Sequence, residues 1–217
     1  ELCFAQLCSE LPTTKLLAIG FELCGTYRIN PLDQIGFSRA EALCTPADIE
    51  KVAQSIATRG ARRAERLAKY LISGSASPME TALALILTLP VRYGGYGIPQ
   101  PIMNMLVPVK AGQGRGVDKH YYRCDLAWPK KGVAVEYDSD AFHTGSDRIA
   151  TDAKRRNSLS YLGYHVITVG RQQMKSGEAL NMVAVQIAKQ LGVRLRPRSQ
   201  NWADSRKRLR EELLSPL

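Results

Sequence analysis

The chain has 217 residues, 45% of them hydrophobic, which is enough for one substantial core plus an accessory segment and excludes a disordered polymer. Thirty Lys and Arg against 20 Asp and Glu give a formal charge of +10. Polyanions are therefore the natural partners, with a generally solvated basic surface as the plain alternative. The longest apolar stretch, Ala82 to Leu89, is far short of the roughly 20 residues that span a bilayer, and no charged-then-apolar leader precedes a small-residue cleavage site. A cytoplasmic location is the expectation. The sequence opens at Glu1 rather than Met, straight into an apolar periodic segment, which leaves an upstream part open.

Residues 1 to about 72 read as mostly helical, with periodic segments at Leu2 to Leu11, Leu16 to Leu23 and an alanine-rich run from Pro46 to Ile72. Gly25, Asn30-Pro31 and Gly36 punctuate them. Arg59, Arg62, Arg63, Arg66 and Lys69 fall at spacings of three and four, most of them along one helical face. Gly74-Ser-Ala-Ser-Pro78 breaks the chain, which predicts a helical accessory segment at 1–74, a core at 75–191 and a basic tail at 192–217. Ser77 is a candidate N-cap with Pro78 at the first helical position of a helix running to about Leu89. A Gly/Tyr loop at Tyr93 to Gly97 and a short strand from Asn104 to Val109 follow. The glycine-rich run Ala111 to Gly116 leads into a strand and not a helix, so it reads as a flexible hairpin loop and not a phosphate cradle.

Tyr121 to Trp128 alternates with period two, Pro129-Lys-Lys-Gly132 is a turn cluster, and Gly132 to Asp138 resumes as an apolar strand. Pairing Trp128 with Val133 places Ala127 opposite Ala134, Asp125 opposite Glu136 and Arg123 opposite Asp138, all on one sheet face. Tyr122, Cys124, Leu126, Trp128, Val133, Val135 and Tyr137 are left for the core-facing side. Directly opposed residues have Cβ atoms roughly 5 Å apart, and like charges there destabilise the pair. At an effective dielectric of about 20 the repulsion is on the order of 4 kcal/mol at 4 Å, so Asp125 and Glu136 call for a cation. A divalent ion would turn that cost into affinity.

A loop carrying His143 comes next, then a helix from about Arg148 to Leu162 stopped by Gly163, a strand from Tyr164 to Val169, a helix from Gln172 to Leu191, and a basic tail with a short helix from Trp202 to Leu214. That tail holds Arg194, Arg196, Arg198, Arg206, Lys207, Arg208 and Arg210. Neither basic cluster has the opposing aromatic or leucine-rich face of an interfacial helix, which favours nucleic acid over membrane. The five cysteines are odd in number, lack a C-x-x-C pair and have mostly apolar neighbours, so reduced, buried thiols are expected, and the three scattered histidines do not favour a structural zinc site.

The order from residue 78 is helix, three strands, helix, strand, helix. This is an α/β arrangement with a central mixed four-stranded sheet and flanking helices, preceded by a mostly helical segment. With Arg-Cys-Asp125, Val-Glu136-Tyr-Asp138, His143, Asp152-x-x-Arg155-x-x-x-Leu159 and Gly163-Tyr-x-Val, the chain resembles the PD-(D/E)XK nuclease superfamily, in the branch related to very-short-patch repair endonucleases. The strong match covers about 45 residues, and Ser77-Pro-Met-Glu80 extends it more loosely. The resemblance implies a metal-dependent endonuclease hydrolysing DNA phosphodiesters, with a bacterial defence or restriction-like role.

Within that resemblance Asp125, Glu136 and the Tyr137 carbonyl hold Mg²⁺ or Mn²⁺, and His143 serves as general base or acid. Asp138 adds a water-mediated ligand or orients His143, unless it pairs with Arg123 across the strands. Glu80 is either the helix-borne acid of the site or the far half of a capping box with Ser77. Arg155 forks onto a phosphate with Asp152 orienting it, or the two pair on the helix surface. Arg123, Arg62 and Arg66 are further candidate nucleic-acid contacts, and His120 and His165 read as structural. The superfamily's lysine, two residues after the second acid, is Asp138 here, and the zinc ligands of mismatch-repair members are not evident. A non-catalytic or weakly catalytic nucleic-acid-binding or regulatory module on the same scaffold is the alternative.

Overall fold

The structure is a computed structural model that describes residues 1–109, 121–138, 146–195 and 200–215. Its contacts divide it into one unit of residues 1–100 with 195–217 and a second of residues 101–194. The division therefore falls at residue 100 and not at 74, so the helix from Pro78 and the basic tail both go with the N-terminal unit.

In that unit the elements run α1 (Leu2–Leu7), α2 (Thr13–Leu23), β1 (Tyr27–Ile29), β2 (Phe37–Arg39), α3 (Pro46–Ser55), α4 (Ala61–Ala68) and α5 (Pro78–Thr88). The alanine-rich run is two helices, separated at 56–60. Gly60 makes that junction possible: a Cβ there would lie 1.9 Å from the Ala5 carbonyl oxygen of α1. Capping fixes the starts. The Thr45 hydroxyl accepts from Asp48 N–H while the Asp48 carboxylate accepts from Thr45, bonds that hold the Asp48 carboxyl below its usual range. α5 is buried from Glu80 to Leu87, the pattern of a helix enclosed on all sides, and α2 packs against it. The short antiparallel pair β1–β2 was not legible as strands.

The second unit holds β3 (Ile102–Pro108), β4 (Tyr121–Trp128), β5 (Val133–Asp138), α6 (Ser146–Tyr161), β6 (His165–Gly170), α7 (Arg171–Lys175) and α8 (Gly177–Leu191). The sheet order is β3-β4-β5-β6, antiparallel twice and then parallel, which is the mixed four-stranded sheet expected. Gly163, at φ +86°, ends α6 and turns the chain back beside β5. α9 (Gln200–Leu214) closes the first unit against α5 and α2. Arg206 of α9 lies 4.5 Å from the Trp202 ring centre and donates to Tyr96 Oη at 2.9 Å, so one tail cation is used inside the fold.

Side-chain alternation on β4 departs from the simple reading. Tyr122, Cys124, Ala127, Ala134 and Leu159 of α6 share one core cluster, although Cys124 and Ala127 have opposite parity. The switch falls at Asp125. Here the pairing of β4 with β3, continuous on either side, skips Asn104, which sits at φ +48°. Tyr122 and Cys124 pack in one cluster with Ala127, Ala134 and Leu159 of α6.

Candidate active site

β4 and β5 pair as expected through Trp128↔Val133, Ala127↔Ala134 and Leu126↔Val135, and there the ladder ends. Asp125 and Glu136 are not a directly opposed ladder pair. Asp125 Oδ2 instead accepts the Tyr137 backbone N–H at 2.8 Å, so the carboxylate takes a position the partner strand's carbonyl would hold in a continuous ladder. Downstream, β5 keeps its parallel pairing with β6 through Glu136↔Thr168, Tyr137↔Val169 and Asp138↔Gly170. The strand is thus fixed on one edge and open to side chains on the other.

Arg155 of α6 enters that opening. Its Nε lies 3.1 Å from Glu136 Oε1 and 3.3 Å from Oε2, its Nη2 lies 2.5 Å from Oε1, and the same Nη2 donates to the Arg123 carbonyl at 2.5 Å. The ion pair is mostly covered, with side-chain exposures of 30% for Arg155 and 14% for Glu136. Burial opposes the charge of Arg155, but its bonds to Glu136 and the nearby charges, Asp125 among them, outweigh this and hold the guanidinium firmly protonated. The cation that two neighbouring acids call for is supplied by the chain itself. Beneath them the Cys124 thiol is pushed up to about 12 by burial and then by Glu136, so it is a protonated core group and not a nucleophile.

The remaining candidates divide by unit. Asp138 ends β5, half-buried, and Arg123 is exposed on β4. His143 and His120 lie outside the described residues, as does the side chain of Asp152. Glu80 belongs to the first unit. Its Oε2 accepts Ala76 N–H at 2.9 Å and its Oε1 accepts the Ser77 hydroxyl at 3.0 Å, while Ser77 Oγ caps Glu80 N–H at 3.2 Å. This is the capping arrangement, shifted one residue upstream of the N-cap amide. Arg62 and Arg66 stand exposed on α4.

The grip of Arg155 on Glu136 was not foreseen. A signal existed in its spacing, because Arg155 and fully buried Leu159 stand four apart on α6 and so share the face turned to the sheet. No signal pointed to the backbone conformation of Asn104.

Two carboxylates and a strand carbonyl are hard oxygen donors that suit Mg²⁺ or Mn²⁺, an ion that keeps waters and takes substrate oxygens for the rest of its shell. Among the described residues no group of three or more His, Cys, Asp or Glu side chains could hold a metal alone. The donor set does not make a closed structural metal site.

The chain is similar to two uncharacterized proteins of Mycobacterium tuberculosis, from two strains, each 26% identical to it over 127 residues that make up 58% of this chain and 42% of the relative. The matched region thus spans less than half the length of these relatives. No family model matches the chain, and no solved structure matches it. No helix among the described residues is long and apolar enough to cross a membrane.

Proposed function

We propose that the protein is a divalent-metal-dependent endonuclease that hydrolyses phosphodiester bonds of DNA at the open end of the β4–β5 hairpin. The observation that carries this reading is the gathering of Asp125, Glu136 and Arg155 where the ladder stops. Asp125 and Glu136, with the Tyr137 carbonyl, would hold Mg²⁺ or Mn²⁺, which when bound supplies charge for the phosphoryl oxygen, an acidified water and a partner for the departing oxygen. Tyr137 N–H orients Asp125. Arg155 orients Glu136 and carries a second positive charge beside the place where a phosphate would sit, so that its fork can serve carboxylate or phosphate. Asp138 and His143 are the proposed proton-handling neighbours, and Arg123 a proposed backbone contact. A bacterial defence or restriction-like role belongs to the same proposal.

One observation favours a second reading, in which the scaffold binds nucleic acid without cutting it: the fork of Arg155 already engages both oxygens of Glu136. Supercoiled plasmid separates the two. Hydrolysis predicts nicking with Mg²⁺ or Mn²⁺ that chelation stops and that Asp125→Ala or Glu136→Ala lowers about 100-fold or more, since a bound ion is worth several kcal/mol to such a transition state. Plasmid binding without divalent-dependent nicking by the parent chain contradicts hydrolysis and leaves the binding module.

A further inference from the structure

The first unit carries a charged surface that the hairpin site does not use. α4 buries Ala61, Ala64, Leu67 and Ala68, and Arg63 turns inward to donate to the Cys8 carbonyl at 2.9 Å and Thr13 Oγ1 at 3.0 Å. Glu65 is drawn to α3, accepting from Gln54 at 3.1 Å. What remains outward is cationic: Arg62 and Arg66 one turn apart, Arg59 ahead of the helix and Lys69 at its C-cap, all exposed. Among the described residues none of these four side chains makes a hydrogen bond or ion pair.

The surface continues past Lys69 into an arginine–aromatic set. Arg92 donates to the Tyr70 hydroxyl, its guanidinium lies 5.0 Å from the Tyr93 ring centre and 6.0 Å from that of Tyr70, and the two rings meet edge to face at 5.5 Å. No exposed large hydrophobic residue falls between Arg59 and Arg92. An interfacial membrane helix would need an apolar face there, and a protein partner an apolar centre.

We propose that this face, Arg59, Arg62, Arg66, Lys69 and Arg92, binds duplex DNA through its phosphate backbone, independently of the hairpin site. Charge complementarity selects the polyanion, and geometry selects the backbone. Arg62 to Lys69 spans about 10 Å of helix, the axial rise of about three phosphates on one strand. Single-strand binding relies on open aromatic faces on which bases stack, whereas here Arg92 lies over Tyr70 and Tyr93.

The test is fluorescence anisotropy of the full chain on a labelled duplex across a salt series, with EDTA present throughout so that no cleavage intervenes. Neutralising four or five phosphates gives a slope of log K against log salt of about −4. Arg62→Ala/Arg66→Ala is expected to make that slope shallower by about 2 and to weaken low-salt binding more than tenfold, while Arg62→Lys/Arg66→Lys keeps the slope and matching circular dichroism shows both variants folded. In an Asp125→Ala/Glu136→Ala background, Arg62→Ala/Arg66→Ala should still make the slope shallower by about 2, so failure of the hydrolytic reading leaves this one standing. A slope unchanged by Arg62→Ala/Arg66→Ala overturns the proposal, as does displacement of duplex by polyglutamate or by a single strand at equal concentration.

Discussion

Two carboxylates at the end of one hairpin stay close only if positive charge lies beside them, and here it is the guanidinium of Arg155. The same geometry makes Arg155 a competitor of any ion that Asp125 and Glu136 would hold, since the fork occupies both oxygens of Glu136. Arg155→Ala removes the organic cation and leaves a mostly covered carboxylate without its partner, at a cost of about 1–3 kcal/mol. The variant should therefore melt several degrees below the parent, and millimolar Mn²⁺ should raise its melting temperature more than it raises the parent's. Equal shifts in the two proteins would show that Arg155 and the ion do not compete.

Much of the element order was legible because the second unit follows simple rules. Period-two alternation and the turn at Pro129 to Gly132 set the β4–β5 register through Leu126↔Val135, and Gly163 marked the return to β6. Ser77 and Pro78 marked the start of α5. The misses have local causes. β1 and β2 are three residues each, too short for alternation to show. Ser176 divides the expected long helix into α7 and α8 by capping Ala179 N–H at 3.2 Å, and α3 and α4 are divided at 56–60 by the close approach of Gly60 to α1. Tyr122 and Cys124 are buried as expected but share a cluster with Ala127 and Ala134, which alternation puts on the other face, next to the point where β3–β4 pairing skips Asn104 at φ +48°. Alternation cannot reveal that from β4 alone.

On the scale of the whole molecule, the five cysteines are free thiols, four of them buried and Cys3 exposed. Burial raises the pKa of Cys8, Cys24, Cys44 and Cys124 and pushes the Tyr27 hydroxyl up to about 12. The folded state therefore keeps protons that the unfolded chain releases from about pH 8.5 for thiols and about pH 10 for tyrosine. Their contribution to stability is fully present below those values and is lost as pH climbs toward the folded pKa values. Under reducing conditions the melting temperature should change little on this account between pH 6 and 8 and fall steadily above about pH 9. A melting temperature that holds constant to about pH 11 would contradict the assignment of these groups as buried and neutral.

The central claim concerns the charge at the hairpin's open end, and it is tested most directly by manganese binding followed by electron paramagnetic resonance of the free ion. The parent chain should take up Mn²⁺ in competition with Mg²⁺, Asp125→Ala/Glu136→Ala should take up none at that site, and Arg155→Ala should bind more tightly than the parent. Uptake that is the same with and without the two carboxylates would contradict the account.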